Sequence, residues 1–283
     1  MKTHQTRLLA DGFVFLEGPR WHAGKLWFSD MWGFKVYTLV PGGKPEVICE
    51  LPTRPSGLGF LPDGSLSIVS MADRRIMKFK DGQLSMHADL SALAKGDVND
   101  TVTDAQGRLY AGNFGYDLFA GEPQAPADLV LVETDGRTRV VASGLDFPNG
   151  AVIKDQGRKL VVAETWASRL SAFDIAADGS LGNQRTYASL PERMPDGICL
   201  DAEGAIWVAS FNSGEFLRVL DGGEITDIVQ VGDKRAVACQ LGGDDGKTLF
   251  CLTYDGQIED LHQQKVAGAI ETVQVAVGSG GSP

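Results

Sequence analysis

One pattern returns six times along this 283-residue chain, and an internal repeat restricts the fold more than any other feature of a sequence. Its copies are EGPRWHAGKLWFSD from Glu17, SGLGFLPDGSLSIVS from Ser56, NDTVTDAQGRLYAGN from Asn99, NGAVIKDQGRKLVVAE from Asn149, DGICLDAEGAIWVAS from Asp196 and ACQLGGDDGKTLFCLT from Ala238. Successive starts lie roughly 39 to 50 residues apart. Each copy reads as a short strand, a turn rich in Asp and Gly, and a second apolar strand, which together make a β-hairpin. Runs between the copies, such as KVYTLV and RIMKFKDGQL, supply a third and an outer strand. Four strands in about 44 residues is the size of one propeller blade.

The spacing therefore predicts an all-β, six-bladed β-propeller with four-stranded blades, formed by residues 1–283 as a single domain. An open β-sandwich with accidental similarity is the competing architecture. Either the alternating Val273, Val275 and Val277 or the stretch Leu8 to Phe15 would complete the last blade and close the ring. Helical character is confined to a short turn near DLSALAK, from Asp89. The clearest insertion, Asp117 to Asp128, is the kind of loop that covers a site on one face of a scaffold.

Charge narrows the partners. A formal net charge of -11 repels nucleic acid and anionic membrane surfaces and leaves a small molecule or a cation as the fitting ligand. No run approaches the roughly 18 apolar residues of a membrane span, and the first residues lack the apolar core of a signal peptide, so the expectation is cytoplasmic. Cys49, Cys199, Cys239 and Cys251 show no CxxC pairing and read as buried free thiols. A closed ring of blades has no long exposed edge demanding a partner, which favours a monomer.

In a closed propeller the first residues of the copies, Glu17, Ser56, Asn99, Asn149, Asp196 and Ala238, are related by rotation and ring one mouth of the central channel. Four of them carry carboxylate or amide oxygens. Asn and Asp are common turn residues, above all before Gly, so turn chemistry alone accounts for Asn99, Asn149 and Asp196. Glutamate is not a turn former, yet Glu17 holds the same register. A shared ligand accounts for all four choices, and two carboxylates with two amides form a hard oxygen set suited to Ca²⁺, Mg²⁺ or Mn²⁺. So few protein ligands leave coordination positions open to water or substrate. The expected propeller thus carries a central metal site.

These residues resemble a known family, the six-bladed propellers of the senescence marker protein, gluconolactonase and luciferin-regenerating enzyme group. The matching motifs are LEGPRW, PSGLGFLPDG, ND at Asn99 and Asp100, FPNG, MPDGICLDAEG and LGGDDGKTLF, in order, from about Leu8 onwards. The resemblance implies that Glu17, Asn149 and Asp196 hold a divalent cation and that Asn99 binds substrate. It also implies hydrolysis of a small lactone, sugar lactones being one class, by metal-activated water. Ca²⁺ is the first expectation for the ion, with Mg²⁺, Mn²⁺, Fe²⁺ and Zn²⁺ as alternatives. Asp196 is placed as the proton acceptor. One departure stands out: relatives acting on sugar lactones often carry arginine two residues before the ND asparagine, and Asp97 occupies that place here.

Other chemistries fit less well. His4, His22, His87 and His262 are scattered, none at a first position, and no GxSxG elbow occurs. Trp32, Phe114 and Tyr116 follow second strands and suit either a pocket wall or ordinary blade packing. Hydrolysis of another ester or a phosphotriester, and a non-catalytic Ca²⁺-binding propeller with protein partners, remain the competing functions.

Overall fold

The computed structural model describes residues 1–281. Six sheets surround an axis, and their innermost strands are Leu16–His22, Pro55–Phe60, Val98–Thr103, Pro148–Lys154, Pro195–Leu200 and Arg235–Gly242. Each packs against the innermost strand of the next blade, and the sixth packs against the first, so the ring is closed. The fold is a six-bladed β-propeller with four-stranded blades.

The sequence pattern follows from this geometry. Second strands such as Ile206–Ser210 and Leu109–Asn113 are buried along their whole length, because neighbouring blades cover both of their faces. They therefore read as continuous apolar runs instead of alternating ones. Outer strands such as Thr138–Leu145 and Leu181–Ser189 are largely exposed and carry the Arg, Thr, Asn and Gln of the surface. The hairpin aspartates are structural: Asp104 Oδ1 accepts the N–H groups of Gln106 and Arg108 at 2.9 Å, and Asp201 Oδ1 accepts those of Glu203 and Ala205 at 2.9 and 3.0 Å. Side-chain bonds of this kind are why Asp starts tight turns.

Both segments expected to complete the last blade belong to it. Gly268–Gln274 is its third strand and Arg7–Phe13 its outer strand, paired antiparallel with each other. The strand ends at Gln274, before the Val275 and Val277 that suggested it. Lys2–Gln5 adds a parallel fifth strand to the fifth blade, against Ile225–Gln230. The DLSALAK segment forms a turn after Asp89, and the 3-10 helix is instead Ile258–Gln263.

The six first positions need one correction. A Cβ built on Gly57 would stand 2.8 Å from the Asp100 Cα, and one on Gly150 would stand 2.8 Å from the Gly197 Cα. These pairs are second positions of adjacent blades. Gly197 likewise meets the Ala238 Cα at 2.6 Å, so Ala238 is a second position and Val237 the first. The cause is the strand's irregularity, which in the sixth blade falls between Ala236 and Ala238. Val237 is fully buried among apolar residues that include Phe15 and Val98. Glycine at these second positions lets the innermost strands approach more closely than any side chain would allow.

Candidate functional site

Glu17, Asn99, Asn149 and Asp196 lie at one end of the channel and together floor a single cavity of about 580 Å³. All four are buried. Their strands are brought to the axis by the residues that end the second strands. The Asp30 carboxylate accepts the N–H groups of Val14 and Phe15, each at 3.0 Å, and so fixes the approach to Glu17. Glu164 Oε2 accepts the Asp146 N–H at 2.8 Å, three residues before Asn149. Ser56, the first position of the second blade, is buried with an unpartnered Oγ and does not line the cavity.

The charges of this floor are out of balance. Burial, then the like charges of Asp196 and Asp100, hold the Glu17 carboxyl well above the usual carboxylate range. Burial and the Asp100 charge do the same to Asp196. Arg20 offsets Asp100, its Nη2 donating to Asp100 Oδ1 at 2.8 Å and to the Thr101 carbonyl at 2.6 Å. With all three carboxyls ionised, one guanidinium would leave two negative charges uncompensated, the charge of one divalent cation. Asp196 Oδ1 is buried without a hydrogen-bond partner, a costly state for an acceptor unless something outside the protein chain engages it. The donor set of Glu17, Asn149 and Asp196 is of the kind that could hold a hard divalent cation. This set is two carboxylates and an amide, and among the described residues no group of three His, Cys, Asp or Glu side chains is arranged to hold a metal.

Thr165 is a site residue that the repeat did not reveal. Its hydroxyl accepts from Asn149 Nδ2 at 3.2 Å and donates to the Pro195 carbonyl at 2.8 Å. One side chain thus fixes the amide orientation of Asn149 and ties it to the residue before Asp196. The first residue after the copy that ends in Glu164 was the available signal, and nothing in its type distinguishes it from an ordinary turn threonine.

Above the floor the walls are apolar. Phe114 stacks on Phe147 with centroids 4.3 Å apart, and Trp166 leans on Phe147 at 5.0 Å. Trp32 and Phe114 belong to the wall, whereas Tyr116 stands behind it, its hydroxyl accepting from Trp166 Nε1 at 2.9 Å. The insertion after Asp117 does cover the site, through Leu118 and Phe119. The 3-10 helix lines the cavity beside this loop with Leu261 and His262, and the His262 ring meets Trp32 edge-on at 4.7 Å and Phe119 at 6.2 Å. Gln264 Nε2 anchors this helix to the Trp32 carbonyl at 3.1 Å. Sequence reasoning set His262 aside because the histidines are scattered and none holds a first position of the repeat. Asp97 does not line the cavity; it pairs with Arg54, which holds the same register in the second blade.

The cysteines are free, and all but Cys49 are buried. Burial raises the thiols of Cys239 and Cys251 well above their ordinary value and that of Cys49 to about 11, so they stay protonated and inert. No helix among the described residues is long and apolar enough to cross a membrane.

Comparison with known proteins places this geometry. The chain is 23% identical over 273 residues to the 6-deoxy-6-sulfogluconolactonase of Pseudomonas putida, covering 93% of this chain and 92% of that one. It is 31% identical over 177 residues to the regucalcin of Danio rerio, covering 60% of this chain and 59% of that protein. The crystal structure of the calcium-binding protein regucalcin from Agrobacterium tumefaciens superposes with a TM-score of 0.82 at 21% identity, covering 99% of this chain and 97% of that one, and so shares its fold. The family model described as the SMP-30/gluconolactonase/LRE-like region matches residues 15–255, most of the chain, and the protein belongs to that family.

Proposed function

We propose that the protein is a metal-dependent lactone hydrolase, opening a small lactone by attack of water on its carbonyl carbon. The observation that carries this reading is the convergence of Glu17, Asn99, Asn149 and Asp196 on one cavity floor, where the carboxyls of Glu17 and Asp196 are both buried. The lactonase named among the relatives supports the reaction class. The calcium-binding neighbour supports a divalent cation, with Ca²⁺ first.

A cation bound here would polarise a carbonyl oxygen and acidify a water molecule, which is what ester hydrolysis at neutral pH needs. The protein side chains do the rest. Glu17 and Asn149 hold position, with Asn149 locked by Thr165. Asp196 Oδ1, free of protein partners, accepts the proton of the attacking water. Asn99 orients that water or the ring oxygen of the lactone. The aromatic walls exclude bulk solvent and strengthen each electrostatic contact on the floor. The whole chain acts as one domain and as a monomer.

The test is acid release from a panel of lactones, using protein stripped with EDTA and then given Ca²⁺, Mg²⁺, Mn²⁺, Fe²⁺ or Zn²⁺ in turn. Turnover that vanishes with the chelator and returns with one of the ions is expected. A folded protein that opens no lactone with any ion would refute the proposal.

A further inference from the structure

The walls of the cavity bear on which lactone is taken, a question that rests on the hydrolase reading above. We infer that the substrate is an electroneutral lactone carrying an apolar alkyl or aryl substituent, and not a polyhydroxylated sugar lactone. A sugar lactone presents a hydroxyl on most ring carbons, and each needs a partner once it leaves water. An alkyl or aryl group needs only apolar surface, and gains with every buried carbon.

The polar side chains of the cavity are confined to two places. Glu17, Asn99, Asn149, Thr165 and Asp196 form the floor, while Glu259 and His262 are exposed at the rim. Between them the substituent would meet Phe114, Phe119, Phe147, Trp166, Phe211 and Trp32. Of the two indole donors in this wall, Trp166 Nε1 already donates to Tyr116. Trp32 Nε1 is buried without a partner and offers one donor, too little for several hydroxyls.

Arg54 makes the point most clearly. A guanidinium is the side chain best shaped to hold adjacent hydroxyls or a carboxylate. Here it is turned to another use: its Cζ lies 4.3 Å from the Phe119 ring centre and 4.8 Å from that of Trp32, and its Nη2 donates to Asp97. Asp97 thereby holds the guanidinium against the two rings, where it stiffens the apolar wall from behind instead of reaching the guest.

The experiment compares two six-membered lactones, δ-decanolactone and D-glucono-1,5-lactone, each rate divided by that of its hydroxide-catalysed hydrolysis. With Ca²⁺ or the best-supporting ion, kcat/KM for δ-decanolactone is expected to be higher by at least about a hundredfold, since each unsatisfied hydroxyl costs between about five- and about a hundredfold. Binding of the matching lactams, which resist hydrolysis, is read in parallel by tryptophan fluorescence. Phe119→Ala, on the covering loop, should weaken δ-decanolactam binding about tenfold and leave gluconolactam unchanged. Equal or better use of glucono-1,5-lactone would overturn the inference and leave the hydrolase reading standing. Failure to open either lactone, with δ-decanolactam still bound, would overturn the hydrolase reading and uphold the apolar preference. No turnover and no preference between the lactams would overturn both.

Discussion

Arg20 of the first blade reaches across the channel to Asp100 of the third, with 2.8 Å between Nη2 and Oδ1 and both side chains almost wholly buried. Removing one partner of such a pair leaves the other charge stranded, at a cost of about 3–5 kcal/mol. Arg20→Met is expected to lose stability of that order in urea unfolding, and Arg20→Met with Asp100→Asn to recover most of it. A loss below about 1 kcal/mol in the single variant would mean that Asp100 takes up a proton when the guanidinium is gone.

Asp196→Ala tests the proton acceptor and the charge imbalance together. Turnover should fall by about 10²–10⁴-fold or more, the usual worth of a positioned base. The chelated variant should melt no lower than the chelated parent, because one of two mutually repelling buried carboxylates has been removed. Retained turnover would remove Asp196 from the reaction.

Without the cation, stability should depend on pH in a defined direction. Glu17 and Asp196 have folded-state proton affinities raised by burial, so the folded chain binds protons more tightly than the unfolded one. Stability of the chelated protein is then greatest below about pH 4 as far as these two groups are concerned, and falls as pH rises from the ordinary carboxylate range through the raised values. Added Ca²⁺ should reverse that loss at neutral pH, since the ion takes the place of the protons. Calorimetric scans from pH 4 to pH 8, with EDTA and with Ca²⁺, would show whether the two curves diverge upward in pH.

Asn99→Ala separates substrate handling from cation binding. The expected result is a fall in kcat of about tenfold or more with cation affinity little changed, measured by calorimetric titration. Equal losses in both would make Asn99 a cation ligand.

Thr165→Val keeps the size of the side chain and removes both of its hydrogen bonds. With the Asn149 amide no longer locked, cation affinity should drop by about 10–100-fold, and Thr165→Ser should restore it. An unchanged affinity would show that packing alone orients Asn149.

What the sequence disclosed and what it hid divide along the repeat. Glu17, Asn99, Asn149 and Asp196 stood out because rotation maps equal registers onto one ring, and Glu17, unlike Asn or Asp, is not a residue that turn chemistry would place in that register. Ala238 was misplaced by one residue because an irregularity in the sixth inner strand shifts the register without leaving a mark in the letters. His262, the 3-10 helix and Phe119 lie in connections that no repeat constrains, so their arrival at the cavity depends on packing. The parallel strand Lys2–Gln5 was hidden for a similar reason: exposed and polar, it carries no periodicity that names its partner. Asp97 and Arg54 were each visible, but their pairing across two blades follows only from the closed ring.

The outermost strands at the start of the chain pair with its far end: Lys2–Gln5 lies beside Ile225–Gln230, and Arg7–Phe13 beside Gly268–Gln274. A ribosome makes these strands well before their partners. The opening segment must therefore wait, unpaired, until residues 225–274 have been made, and the ring acquires its seam only then. Order of synthesis and order of pairing therefore differ here, and the inner strand that brings Glu17 to the cavity floor follows directly on a strand whose partner is made far later.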